Sequence, residues 1–173
     1  SIPYTAFDAG SQENMNAHLK AQLGKKDLLI LAGDLPEDLR HAYPDRDLLV
    51  DADVSGNQDL LKLKRITMHL PGALDVQVNG KATSIADEKR RKGNVELKVY
   101  TGNLDFLLAF LPAESRGNFS IPHHLLLRGD AELDGEQYRT RFVLQDGDGK
   151  VRLQAAYHAK EEYYKAHLTV DSL

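Results

Sequence analysis

From Leu74 to Ala82 the even positions read Leu, Val, Val, Gly and Ala, and the odd positions between them read Asp, Gln, Asn and Lys. A period of two gives an extended strand one oily and one wet face. The same period starts near Asp47, where Leu48, Val50, Ala52 and Val54 alternate with Leu49, Asp51, Asp53 and Ser55. Leu61 and Leu63 then hold one parity, while Ile66, Met68 and Leu70 hold the other. That slip near Lys64–Arg65 predicts a β-bulge. Val95, Leu97 and Val99 form the next row. Later rows are Tyr138, Thr140, Phe142 and Leu144; Val151, Leu153, Ala155 and Tyr157; and Tyr164, Ala166, Leu168 and Val170.

The breaks between rows are short and polar. "LDGEQ" at 133–137, "QDGDGK" at 145–150 and "AKEEYY" at 159–164 read as hairpin turns, two of them containing Asp-Gly. "DEKRRKG" at 87–93 is a longer charged tip. Connections this short force antiparallel neighbours.

Only the N-terminal quarter reads as helical. Ser11 caps an expected helix over 11–23 with Met15, Leu19 and Leu23 at helical spacing, and Gly24 stops it. A second short helix is expected after Asp34, with Pro36 in its first turn, Glu37 three residues past the cap, and Pro44 ending it. "NLDFLLAFL" at 103–111 reads either as a short helix capped by Asn103 or as a doubly buried strand. The fold class is mainly β: a long antiparallel meander with one or two short helices near the N-terminus. The chain reads as a single domain over 1–173, with a partly helical end segment at 1–45 and the meander at 46–173.

Composition narrows the function classes. The 173 residues suit one domain with a core, at 42% hydrophobic and 28% charged. A net charge of −4, with basic residues scattered among acids, gives no nucleic-acid footprint. The absence of Cys excludes disulfides, thiolate metal sites and a cysteine nucleophile. No apolar run is long enough to span a membrane as a helix. The chain opens on "SIPYTAF" and stops at "LTVDSL", both strand-like, which suggests a piece of a longer protein.

No chemistry-bearing motif emerges. "QDGDGK" resembles the start of a calcium loop, but position twelve from Asp146 is Tyr157, where the loop needs a bidentate acid. His123 and His124 are adjacent, so on a strand they face opposite ways and do not chelate one ion. The remaining histidines, at 18, 41, 69, 158 and 167, lack metal spacing. Phosphate-cradling and nucleophile-elbow motifs are absent. The chain reads as non-enzymatic, with no metal and no cofactor.

"VSGNQDLL" at 54–61 and "YTGNLDFL" at 100–107 share Gly, Asn, Asp and Leu in register, and each leads to a Leu-Pro, at 70–71 and 111–112. A repeated strand unit of this kind favours a linear, stacked architecture. The combination of "GNQDLL…LPGALDVQVNGKATSIAD" with "GNLDFLLAFLP…IPHHLLLRGDAELDGEQYRTRFVLQDGDGKVRLQAAYH" resembles the TamB branch of the AsmA-like proteins over residues 30–173. Its motifs are short: a Gly-Asn after a strand, a Leu-Pro-Gly opening another, and a Gly-x-Gly hairpin.

The resemblance implies a periplasmic segment of an inner-membrane-anchored envelope protein, its antiparallel meander curled into an open β-taco or trough with a hydrophobic inner groove. It implies phospholipid acyl chains as ligand, and an outer-membrane barrel of the Omp85 class as partner of the parent protein in outer-membrane protein or autotransporter assembly. It transfers no catalytic residues. The groove residues expected from the inward parity are Leu48, Val50, Val54, Leu61, Leu63, Leu74, Val76 and Val78. On the later strands they are Val95, Leu97, Val99, Phe142, Leu144, Val151, Leu153, Leu168 and Val170. The helix over 11–23 departs from a strand array; it reads either as a plug at one end of the trough or as the result of an internal deletion. Two other readings compete: a structural protein-interaction domain whose oily faces close into a dry core as in a sandwich, and a lipocalin-like closed cup. Alternation is the same in every case.

Overall fold

The computed structural model describes residues 14–31, 37–57 and 59–172. Nine strands form one sheet in chain order: β1 (Met15–Leu23), β2 (Leu48–Gly56), β3 (Leu60–Leu70), β4 (Leu74–Thr83), β5 (Lys92–Thr101), β6 (Leu126–Asp134), β7 (Gln137–Asp146), β8 (Gly149–His158) and β9 (Tyr163–Ser172). Every strand pairs antiparallel with its sequence neighbours. β1 and β9 are the edges, so the meander stays open and does not close into a barrel.

The bulge lies where the parity slips. Arg65 pairs with Asp53 and Leu63 with Val54, so Lys64 is the extra residue. Seen from β4, Lys64 and Arg65 together oppose Asn79. The extra residue returns Leu61 and Leu63 to the face that carries Ile66, Met68 and Leu70.

Turn chemistry sets the other registers. Pro71 and Gly72 join β3 to β4; Gly72 sits at φ 72°, and the Ala73 N–H donates to the Leu70 carbonyl at 3.0 Å. That is a type II turn, which needs positive φ at its third residue. Gly135 and Gly147, at φ 58° and 55°, occupy the two-residue loops of the β6–β7 and β7–β8 hairpins. "QDGDGK" is therefore a tight Asp-Gly turn.

Two expectations for the N-terminal part are corrected. Residues Met15–Leu23 form strand β1, not a helix. Apolar residues at 15, 19 and 23 satisfy helical spacing, but Ala17 and Ala21 fill the positions between them, so the true period is two. Ser11 lies outside the described residues. Gly24 precedes a helix rather than ending one: α1 (Lys25–Leu31) follows it, and the Asp27 carboxylate accepts from the Gly24 N–H at 3.2 Å. α2 (Glu37–Ala42) matches the second expected helix; Asp34 and Pro36 lie outside the described residues. Residues 103–111 resolve in favour of the helix, as a 3₁₀ helix over Asp105–Phe110. α3 (Ala113–Arg116) follows it.

The described parts of the 24–47 connection and the 102–125 connection lie at the same end of the sheet and meet there as a cap. The Tyr43 ring meets Phe106 edge-on at 5.3 Å. Arg116 ties the cap together by donating to the Asp38 carboxylate at 2.5 Å and the Leu111 carbonyl at 2.9 Å. Arg46 donates to the Pro71 carbonyl at 2.6 Å, and the Gly102 N–H to the Ala73 carbonyl at 2.8 Å, fastening the cap to the β3–β4 turn. The buried apolar residues among those described are Leu39, Leu70, Ala73 and Ala109, and all four lie at this end.

The internal repeat is a turn, not a strand unit. Asn57 Oδ1 accepts from the Asp59 and Leu60 N–H groups at 2.9 and 3.0 Å, and Asn103 Oδ1 accepts from Asp105 N–H at 2.8 Å. Both are side-chain-closed Asx turns. One closes the β2–β3 hairpin, and the other enters the 3₁₀ helix at the opposite end of the sheet. The linear stacking inferred from it does not follow.

Candidate functional site

Side chains directly opposite each other on paired strands share a face. The registers therefore trace rows across the sheet. One runs Ala21, Val50, Met68, Val76, Val99, Leu127, Leu144, Val151, Val170. The next runs Leu19, Ala52, Ile66, Val78, Leu97, Gly129, Phe142, Leu153, Leu168, and a third runs Ala17, Val54, Leu63, Gly80, Val95, Ala131, Thr140, Ala155, Ala166. Leu48 and Leu74 lie one row nearer the cap, and Leu61 one row farther from it. Every expected groove residue is on this one face.

Among the described residues, no second layer covers the face. Val50, Val76, Val78, Leu97 and Val99 are half-buried by their neighbours alone. Exposure rises toward the C-terminal edge, from 38% at Leu153 to 63% at Leu168. No large side chain among the described residues is fully buried. For a chain with this much Leu and Val, that is a continuous apolar surface in contact with solvent.

Within the face, Phe142 lies across Gly129. A Cβ on Gly129 would sit 2.1 Å from the ring, so only glycine fits beneath it. Sequence reasoning placed the hairpin turn at 133–137 but named no row for β6 before it, because Gly129 and Ala131 break the run of large residues. The signal was present in Leu127 and Leu133 alternating with Arg128, Asp130 and Glu132. It missed β1 through the helical misreading.

The opposite face is charged. Asp51 is ringed by Lys20 at 3.6 Å, Arg65 at 3.6 Å and His18 at 3.9 Å. Arg141 bridges Asp130 at 2.9 Å and Glu132 at 3.1 Å. A cleft of about 860 Å³ crosses from β3 to β7 among these side chains, lined by Lys64, Gln77, Glu96, Lys98 and Arg128. Its charges alternate in sign and converge on no single point.

His123 and His124 sit in a loop rather than on a strand. His123 faces the Asp105 carboxylate at 3.3 Å, and His124 meets the Tyr100 hydroxyl at 2.7 Å. Among the described residues no three His, Asp or Glu side chains gather as a metal site. No described helix is long and apolar enough to cross a membrane. The chain matches no protein-family model, no curated protein and no solved structure. The uncovered apolar face is the feature a function has to explain.

Proposed function

We propose that this chain is a periplasmic segment of a TamB/AsmA-like envelope protein whose open apolar sheet face carries phospholipid acyl chains. The observation that carries the reading is the nine-strand apolar face, which no other described residues cover as a layer. An acyl chain gains about 0.8 kcal/mol for each CH₂ moved from water to an apolar surface. Successive rows of Val and Leu give every position along the face nearly the same contact, so a chain meets no deep trap. Such a face needs no catalytic group, metal or cofactor. An inner-membrane anchor and an Omp85-class barrel partner belong to the parent protein in this proposal.

Photo-crosslinkers at Val76, Leu97 and Leu153 are expected to capture phospholipid, with little capture at Gln77 and Lys98 on the charged face. Solvent extraction of the purified protein followed by mass spectrometry identifies the lipid. Equal capture on both faces, or none, overturns the proposal.

A second reading follows from the exposed C-terminal edge. Tyr164, Leu168 and Val170 are 76%, 63% and 49% exposed on the edge strand β9. In a protein-interaction domain a partner strand adds there and covers them. Capture of protein rather than lipid at Leu168 distinguishes this reading.

A further inference from the structure

The apolar face ends differently at its two ends. Toward the cap it stops at Leu48, Leu70 and Leu74. At the open end the last row reads Leu133, Tyr138, Tyr157, Tyr164 by direct pairing. The Tyr138 and Tyr157 rings lie 6.0 Å apart, tilted by 33°. Arg91 shares the parity of Gly93 and Val95, so it continues the apolar face one step beyond the last strand residue. Its guanidinium donates to the Tyr138 hydroxyl at 2.9 Å and to the Gly135 carbonyl at 3.1 Å, with its carbon 5.9 Å from the Tyr138 ring centre. Its neighbours are neutralised, Arg90 by Asp87 at 2.7 Å and Lys92 by Asp134 at 3.4 Å. Arg91 has no carboxylate partner among the described residues.

We infer that this lip holds the phosphate of a phospholipid, with Arg91 and the tyrosine hydroxyls on the headgroup and the acyl chain running toward the cap. The inference rests on the lipid reading above. Tyrosine suits a boundary with one end apolar and one end wet. A guanidinium pairs with phosphate through parallel N–H donors, and Nη1 of Arg91 has no hydrogen-bond partner among the described residues. The length fits as well. Tyr138 to Leu144 is six residue steps, roughly 20 Å at about 3.4 Å each. One leaflet of a bilayer's hydrocarbon core is about 15 Å deep.

The test compares dodecyl phosphate with dodecyl maltoside, both below their micelle concentrations, by calorimetric titration at low salt. Wild-type protein is expected to bind the phosphate about tenfold more tightly, the scale of one charge-assisted hydrogen bond. Arg91→Gln should bring the two affinities together without weakening the maltoside. Arg91→Lys should keep part of the preference, and Arg90→Gln all of it. Equal affinities in the wild type, or a preference that survives Arg91→Gln, overturns the headgroup site and leaves the acyl face standing. Binding of neither amphiphile overturns the lipid reading itself.

Discussion

The two ends of the sheet hold the same strands under different conditions. At the capped end, Leu70 on β3 and Leu39 on α2 are each only 3% exposed. At the open end, three tyrosines and an arginine crown a row that solvent reaches. A sheet with one oily face is ordinarily stabilised by covering that face. Here burial is concentrated in a small knot of helix and turn, and the rest of the sheet rests on its ladders and same-face neighbours. Stability and surface availability are thus separated along the strands, and substitutions at the two ends are expected to read out differently.

The sharpest contrast is Leu70→Ala against Leu168→Ala. The first opens a cavity in the cap core and is expected to cost about 2–5 kcal/mol by denaturant unfolding. The second truncates a side chain in solvent and is expected to stay within about 0.5 kcal/mol, while reducing lipid capture at that edge. Similar costs for both would mean that burial is not confined to the cap.

Glycine substitutions come next. At Gly72 a new Cβ meets both a positive φ and the Arg46 guanidinium, 2.3 Å away. At Gly147 φ is also positive, but nothing lies within 4 Å. Gly72→Ala is expected to lose about 2–3 kcal/mol and Gly147→Ala about 1 kcal/mol, the lower end of the range for backbone strain. Thermal unfolding of the pair measures the difference, and equal losses would show that the Arg46 bridge carries no weight.

The smallest effect is in pH. Burial in the cap holds the Tyr43 phenol above its ordinary value of 10.0. The unfolded chain therefore ionises first. The contribution is complete below about pH 10 and is lost as pH rises toward the folded-state value. Stability above that pH is expected to fall more gently in Tyr43→Phe than in the wild type, and identical slopes would break the link to the cap.

Much of this architecture is legible in residue order, and the exceptions have physical causes. Strands β2 to β5 and β7 to β9 follow from a period of two written in Val, Leu, Ile and Tyr. The bulge follows from the parity slip between Leu63 and Ile66. β1 was misread because apolar residues four apart satisfy both periods, and only Ala17 and Ala21 separate them. The Gly-Asn repeat was over-read because an Asx turn closes a hairpin and enters a helix with the same residues. The openness of the face was expected from the family resemblance alone and is not written in the alternation. Alternation reports which side of a strand is oily and carries no information about what lies against it. The alignment of Tyr138, Tyr157 and Tyr164 into one row depends on cross-strand register, which turn lengths set and single strands do not reveal.

The bulge at Lys64 gives the sheet a tolerance for changes in chain length. A residue inserted mid-strand normally turns everything beyond it inside out. Here the added residue has been absorbed: Lys64 reaches Asp53 at 3.8 Å and Arg65 reaches Asp51 at 3.6 Å, both on the charged side. Removing Lys64 leaves Leu61, Leu63, Ile66, Met68 and Leu70 in unbroken alternation. That shortened protein is expected to keep its faces and relax only its local bend, whereas deleting Gln77 would turn half of β4 over. At this one position, the sheet keeps count of sides and not of residues.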